Sequence, residues 1–275
     1  MQPTARGYGT GTSRYARLIV DLDGTLYRGP EPLPGAIDAM SRLRRTHDVL
    51  FLSNNCNASP ARIVDRLRQM GFDAEPHEVV TSVTLMVRAV NELGSGLRVL
   101  TLTSGDLEPS LEDAGHHIVE AERAEIVIVG VDLAVTYEKI AAILRALLAG
   151  SVLIGANADA TYPTDSGPRP GAGTFVGFAR GMGFTPQHMC GKPDPWAVRE
   201  ALALRGFEPG TDCLLVGDRL DSDIAGARAV GIDSALVLTG ASTREDIERT
   251  GIRPTYVASD LAKVAGIVGL ETHTA

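Results

Sequence analysis

Two carboxylates stand two residues apart in the stretch LIVDLDGTLYRG, residues 18–29: Asp21 and Asp23. The apolar run Leu18-Ile19-Val20 before them reads as a short buried strand, and Asp23-Gly24 as the turn that ends it. In an open parallel sheet, ligands bind just beyond the carboxyl ends of the strands. A spacing of two points both side chains the same way if the strand continues that far. Carboxylates held so close repel unless a proton or a cation lies between them. A divalent metal supplies that cation. An ordinary Asp-Gly turn is the other reading, and the pair alone fits both.

Three further groups fall where strands or loops should open onto the same edge. They are Ser53-Asn54-Asn55, Lys192, and Gly217-Asp218 with Asp223. Each has a task if the substrate is a phosphate monoester. A carboxylate at Asp21 can attack phosphorus and split one hard displacement into two easier ones. A second carboxyl at Asp23, with its pKa raised, can protonate the leaving alkoxide and later take a proton from water. Ser53, Asn54 and Lys192 are hydroxyl, backbone N–H and ammonium donors of the kind that stabilise charge on a transferring phosphoryl group. Mg²⁺ needs hard oxygen ligands, which Asp21, a backbone carbonyl and Asp218 provide. Taken singly, Ser53-Asn54-Asn55 can merely end a strand, Lys192 can be solvated, and Asp221 to Asp223 can be an acidic helix start. Taken jointly, their shared placement favours a site.

The elements that must position these groups alternate. Strands are expected over 18–20, 49–52, 212–216, 233–238 and 256–257, with helices over 36–45, 59–70, 82–93, 195–205, 221–230, 243–249 and 260–267. Pro60 suits the first turn of its helix, Gly71 its stop, and Ser82 a cap. Residues 75–81 read as an irregular link. Such alternation implies an α/β fold, a Rossmann-like parallel sheet with right-handed crossovers. A middle portion repeats the scheme, with strands over 97–102, 126–130 and 152–155 and helices over 107–114 and 137–149, but without a carboxylate pair at a strand end. It reads as an inserted α/β cap. The expected division is a disordered tail over 1–15, a discontinuous core over 16–82 and 184–275, and a cap over 83–183. The Pro/Gly-rich stretch 157–173 is the longest irregular segment of the middle portion, and such loops are usually functional.

The bulk properties narrow the partners. The chain has 275 residues, 44% hydrophobic and 22% charged, which is a globular composition. A net charge of −8 argues against nucleic acid and anionic membranes, though not against a phosphorylated metabolite. No apolar stretch is long enough to span a bilayer. Cys56, Cys190 and Cys213 are widely spaced and odd in number, with no zinc spacing, so a reducing cytoplasm is expected. Gly7, Gly9 and Gly11 precede the first strand and form no dinucleotide fingerprint.

The spacing of DLDGTLYRG, SNN, GKP and GDRLDSDIAGA resembles the four motifs of the haloacid-dehalogenase superfamily of phosphatases, over nearly the whole chain. The insertion after the second motif and before the lysine resembles the branch with a large α/β cap of C2 type, the NagD-like or p-nitrophenylphosphatase-like proteins. The resemblance implies Asp21 as nucleophile, Asp23 as acid/base, Ser53 and Asn54 as phosphate ligands, and Lys192 as a clamp on phosphate and nucleophile. It implies Mg²⁺ held by Asp21, the Asp23 carbonyl and Asp218, with Asp223 one layer behind and Asp221 only capping a helix. From the cap, Asn157, Asp159 and Thr161 are implied to face the leaving group. A homodimer through the cap is also in keeping with that branch. Ser53 stands where branch members usually carry Thr, which keeps the hydroxyl, and Cys56 and Asn57 follow where small or hydroxyl residues are usual.

Asp23 bears on reaction type. Dehalogenases of the superfamily lack this second carboxylate, and transport ATPases carry Thr there. The expected activity is Mg²⁺-dependent hydrolysis of a small phosphorylated metabolite, such as a sugar phosphate, glycerol phosphate, phosphoglycolate or nucleoside monophosphate. The alternative is a receiver-type module whose phospho-aspartate signals without rapid turnover.

Overall fold

A computed structural model describes residues 13–162, 164 and 167–270. In the first portion, β1 (Arg17–Val20) is followed by a small ribbon of β2 (Tyr27–Arg28) and β3 (Glu31–Pro32), then α1 (Ala36–Leu43), β4 (Asp48–Ser53), α2 (Pro60–Gln69), β5 (Val79–Thr81) and α3 (Ser82–Leu93). The middle portion runs β6 (Arg98–Leu102), α4 (Leu107–Asp113), β7 (His117–Ile118), β8 (Ile126–Val129), α5 (Tyr137–Leu148), β9 (Val152–Gly155), β10 (Thr161–Tyr162), β11 (Arg169–Pro170), α6 (Ala172–Gly181) and β12 (His188–Met189). The last portion is α7 (Pro195–Leu204), β13 (Cys213–Gly217), α8 (Ala225–Val230), β14 (Asp233–Val237), α9 (Arg244–Thr250), β15 (Tyr256–Ala258) and α10 (Leu261–Leu270).

Six parallel strands in the order β15-β14-β13-β1-β4-β5 form the larger sheet, so strands from both ends of the sequence interleave. Leu18, Ile19 and Val20 are fully buried, as a strand covered on both faces must be. Val20 pairs with Phe51 on one side and Val216 on the other. That register ends three strands at one level, bringing Asp21, Ser53 and Asp218 to the same edge. The link expected over 75–81 is instead a turn of 3₁₀ helix (Pro76–Glu78) and then β5, which pairs with β4. Three residues are too few to show a period, although Val79, Val80 and Thr81 are strand formers by type. The cap of α3 is Thr81, whose hydroxyl accepts from Thr84 N–H at 3.4 Å, and not Ser82. Tyr15 does not belong to the tail expected over 1–15. Tyr15 is fully buried and donates to Asp233 at 2.8 Å. The residues 1–12 lie outside those described.

A separate five-stranded parallel sheet, order β12-β9-β8-β6-β7, carries the middle portion. Its last strand, His188–Met189, lies past the expected end of the insertion at residue 183. The segment 157–173 is less irregular than expected, because β10 and β11 pair within it as an antiparallel ribbon. Helix α6, absent from the sequence expectation, carries Gly173, Gly177 and Gly181, residues that weaken a helical signal. Its buried Ala172, Phe175, Val176 and Ala179 nevertheless keep a helical period. Gly173 is needed for packing: a side chain there would run into the Ala158 carbonyl. One apolar cluster continues from a face of the larger sheet, through Leu85, Met86 and Ala89 of α3, into the middle sheet.

Candidate active site

Lys192 is the centre of the site. It is 2% exposed, and its Nζ lies 2.6 Å from Asp21 Oδ1, 2.7 Å from Asp223 Oδ1 and 2.8 Å from the Leu52 carbonyl. A buried ammonium is costly unless paired. Burial pulls its pKa down, but the two carboxylates outweigh that and hold Lys192 above the ordinary lysine range. Its backbone is fastened as well. Asn54 Oδ1 accepts from Lys192 N–H at 2.8 Å, and Asn54 Nδ2 donates to the Lys192 carbonyl at 2.9 Å.

Asp21, Asp218 and Asp223, all buried, each bring a carboxylate oxygen within 4.8 Å of the others. Burial pushes the Asp21 pKa well up against the opposing charge of Lys192, with Asp223 and Asp218 adding repulsion. Burial and then Asp223 push Asp218 up to about 7, although Ala241 N–H donates to its Oδ2 at 2.6 Å. Asp218 Oδ1 is buried without a hydrogen-bond partner. Such an orphaned acceptor among hard oxygen donors fits a cation of the Mg²⁺ kind. Asp223 is differently placed: its Oδ2 accepts from Arg219 N–H at 3.0 Å while Oδ1 meets Lys192.

Glycines make room for this packing. A side chain at Gly24 or Gly240 would collide with the Asp218 carboxylate, and one at Gly217 with Asp223. Asp223 sits in a turn, Leu220–Ile224, wound with a bond from Ile224 N–H to the Arg219 carbonyl, a π-helical bulge of the kind often found at functional sites. Asp221 does not cap it. Both its oxygens accept from the Arg219 guanidinium, at 3.1 and 2.9 Å.

Asp23 is half-buried one turn away. Burial raises its pKa, opposed by the charge of Arg66 and by the Tyr27 hydroxyl, which donates to Asp23 Oδ2 at 3.2 Å. Ser53 closes β4, and its Oγ accepts from Asn55 N–H at 3.1 Å, leaving the hydroxyl hydrogen to be donated elsewhere. Asn55 Oδ1 accepts from the N–H groups of Asn57 and Ala58, both at 2.9 Å, and so fixes the loop beyond. Cys56 is buried there with its thiol pushed up to about 11 by burial, an inert filler.

The structure brings Asp21, Lys192, Asp218 and Asp223 together and ties Asn54 to them. The three residues expected from the middle portion separate. Asn157 Nδ2 donates to the Asn54 carbonyl at 2.7 Å, and Asp159 Oδ2 accepts from Asn54 Nδ2 at 3.0 Å. Thr161 is exposed on the β10 ribbon, paired with Pro170. Tyr27, Arg66, the Leu52 carbonyl and Gly240 were not singled out from the sequence as parts of the site. Tyr27 at least lies inside the first motif, whereas the others are joined to it only by the fold.

Two family profiles match the chain: haloacid dehalogenase-like hydrolase over residues 18–117 and HAD-hydrolase-like over residues 189–264. An acid sugar phosphatase of Staphylococcus epidermidis is 35% identical, over 90% of this chain and 95% of the relative. Among solved structures, p-nitrophenyl phosphatase from Archaeoglobus fulgidus superposes with a TM-score of 0.87 at 31% identity, covering 92% of this chain and 99% of that one. A glycerol phosphate phosphatase from Mycobacterium tuberculosis, solved with magnesium, gives 0.82 at 33% identity, covering 91% and 76%. With its motifs on one sheet edge and its insertion on a second parallel sheet, the chain belongs to the haloacid dehalogenase-like hydrolases, in their NagD and p-nitrophenyl phosphatase-like branch.

Proposed function

We propose that the protein is a Mg²⁺-dependent phosphomonoesterase acting on small phosphorylated metabolites through an aspartyl-phosphate at Asp21. The observation that carries this reading is Lys192, bridging Asp21 and Asp223 beside an Asp218 oxygen that has no partner. The relatives' names, acid sugar phosphatase and glycerol phosphate phosphatase, support the substrate class.

Asp21 attacks phosphorus as the bond from phosphorus to the ester oxygen breaks, and Asp23 gives its proton to that oxygen. Asp23 then takes a proton from water, which attacks phosphorus and releases Asp21 with inorganic phosphate. Ser53 Oγ–H, the Asn54 backbone N–H and Lys192 Nζ are the donors to the phosphoryl oxygens. Because the Asn54 amide is spent on Lys192 and Asp159, Asn54 serves through its backbone. Asp21, the Asp23 carbonyl and Asp218 would hold Mg²⁺, which when bound offsets the charge that Asp21 and the phosphate bring together. Asp223, with both oxygens engaged, holds Lys192 in place. Asn157 and Asp159 act on the phosphate loop through Asn54.

The division we propose is a core of 15–82 and 190–275 and a cap of 83–189, which carries the cap expected over 83–183 through β12 and the core expected from 16 back to Tyr15. Two copies pair through the cap in this reading, supported by Leu133 and Tyr137, which are 65% and 81% exposed. Three buried, unpaired thiols support a cytoplasmic setting. No helix among the described residues is long and apolar enough to cross a membrane. A receiver-type signal is disfavoured by Asp23, which would speed loss of the phosphoryl group. Phosphate release from p-nitrophenyl phosphate, glycerol phosphate and hexose phosphates, with Mg²⁺ and with chelator, tests the reading. Release that needs Mg²⁺ is expected; release indifferent to chelator, or from no ester, contradicts it.

A further inference from the structure

We propose that Tyr27 is a positioning residue that sets the Asp23 carboxyl for proton transfer to the leaving group, an inference that rests on the acid/base role of Asp23 proposed above. After β1 the chain folds back so that Asp23 and Tyr27 bridge, with Gly24 N–H donating to the Tyr27 carbonyl at 2.8 Å. That turn carries the Tyr27 hydroxyl to 3.2 Å from Asp23 Oδ2, to which it donates. Tyr27 is fully buried, and among the described residues Asp23 is the hydrogen-bond partner of its hydroxyl. A buried phenol needs one acceptor, and any backbone carbonyl would serve. Here the acceptor is the carboxyl two residues beyond the nucleophile.

The ring is clamped. The Arg66 guanidinium carbon lies 4.4 Å from its centroid, and Arg66 Nη2 donates to the Gly29 carbonyl at 2.6 Å. Leu22 and Leu26, both fully buried, belong to the same apolar cluster. A clamped donor on Oδ2 fixes the rotation of the Asp23 carboxyl. It also decides where the acid's hydrogen sits. A neutral carboxyl has one O–H and one acceptor oxygen, so donation from Tyr27 to Oδ2 leaves the hydrogen on Oδ1. In the first step that Oδ1–H bond breaks, and the proton passes to the ester oxygen as its bond to phosphorus breaks. Asp23 is left as a carboxylate still held by Tyr27, in the same orientation, ready to accept a proton from water. Arg66 supports the arrangement by holding the ring.

The test compares an alkyl ester with an aryl ester. Alkoxide must be protonated to leave, whereas p-nitrophenolate leaves without help. With Mg²⁺ present, Tyr27→Phe is expected to lower kcat/KM for glycerol phosphate by about 10- to 100-fold. For p-nitrophenyl phosphate the same variant should lose less than about threefold. Asp23→Asn should show the same asymmetry, larger. Equal losses on both esters, or no loss on either, overturn the Tyr27 inference when Asp23→Asn keeps the asymmetry. Absence of the asymmetry in Asp23→Asn overturns the acid/base role, and the Tyr27 inference with it. Thermal melts check that Tyr27→Phe folds. If it does not, Arg66→Met takes its place, with a smaller loss confined to the alkyl ester expected and an equal loss on both esters contrary.

Discussion

Asp218 is the residue through which proton and metal compete. Its pKa of about 7 in the folded chain stands above the ordinary carboxylate value of 3.8, so the metal-free fold binds a proton there more tightly than the unfolded chain does. The contribution is stabilising below the unfolded value and is lost as pH rises towards 7. A divalent ion replaces that proton and removes the repulsion. The rise in Tm on adding Mg²⁺ should therefore be larger at pH 8 than at pH 5.5, and Asp218→Asn should lose most of it. A thermal-shift series over pH with and without Mg²⁺ checks this, and a rise independent of pH would speak against it. The types and spacing of Asp21, Ser53, Lys192 and Asp218 were legible in the sequence because each closes or follows a recognisable apolar run or motif. Tyr27 and Arg66 were not, since their role depends on a backward fold of one loop and on the turn of one helix. The Asn54 side chain had no role legible in the sequence, because its amide is used up on Lys192 and Asp159, a contact no spacing reveals.

At the level of elements, strand ends and tight glycine loops set the site. Gly240 follows β14 and packs its backbone against the Asp218 carboxylate. Gly240→Ala forces that carboxylate aside, and the expected cost is about 1–3 kcal/mol of stability, as for other overpacked positions. It should also weaken Mg²⁺ binding, read by titration calorimetry on the same variant. Unchanged affinity would show that Asp218 can move without penalty. The long buried strands and helices were legible from their periods. The short strands β5, β7 and β12 were not, because they are defined by the neighbours they pair with, although the three-residue β15 was expected at 256–257. Helix α6 was hidden by its glycines, of which Gly173 is required by the close approach of the loop at Ala158 and Asp159.

Across the whole molecule, the two sheets meet at Asn54. Asn157 holds its carbonyl and Asp159 its amide, while Asn54 in turn holds both backbone groups of Lys192. A second fastening lies farther out, where Asp106 accepts from Ser59 N–H at 2.8 Å and pairs with Arg62. The seating of the middle portion is thereby coupled to the placement of Lys192. Asn157→Ala should lower kcat on all esters alike and raise amide exchange over residues 53–57, measured by hydrogen–deuterium exchange. Exchange and kcat both unchanged would show that the two portions are coupled elsewhere. The insertion itself was legible from where the carboxylate-bearing strand ends fall, but its bonds to Asn54 arise only once both sheets are folded.

The nucleophilic role of Asp21 is tested most directly by trapping. Brief mixing with [³²P]-labelled p-nitrophenyl phosphate and Mg²⁺, followed by acid quench, should leave label on the protein. That label should be released by hydroxylamine, map to the peptide containing Asp21, and be absent from Asp21→Asn together with turnover. Near-normal hydrolysis by Asp21→Asn, or label on a different residue, would contradict it.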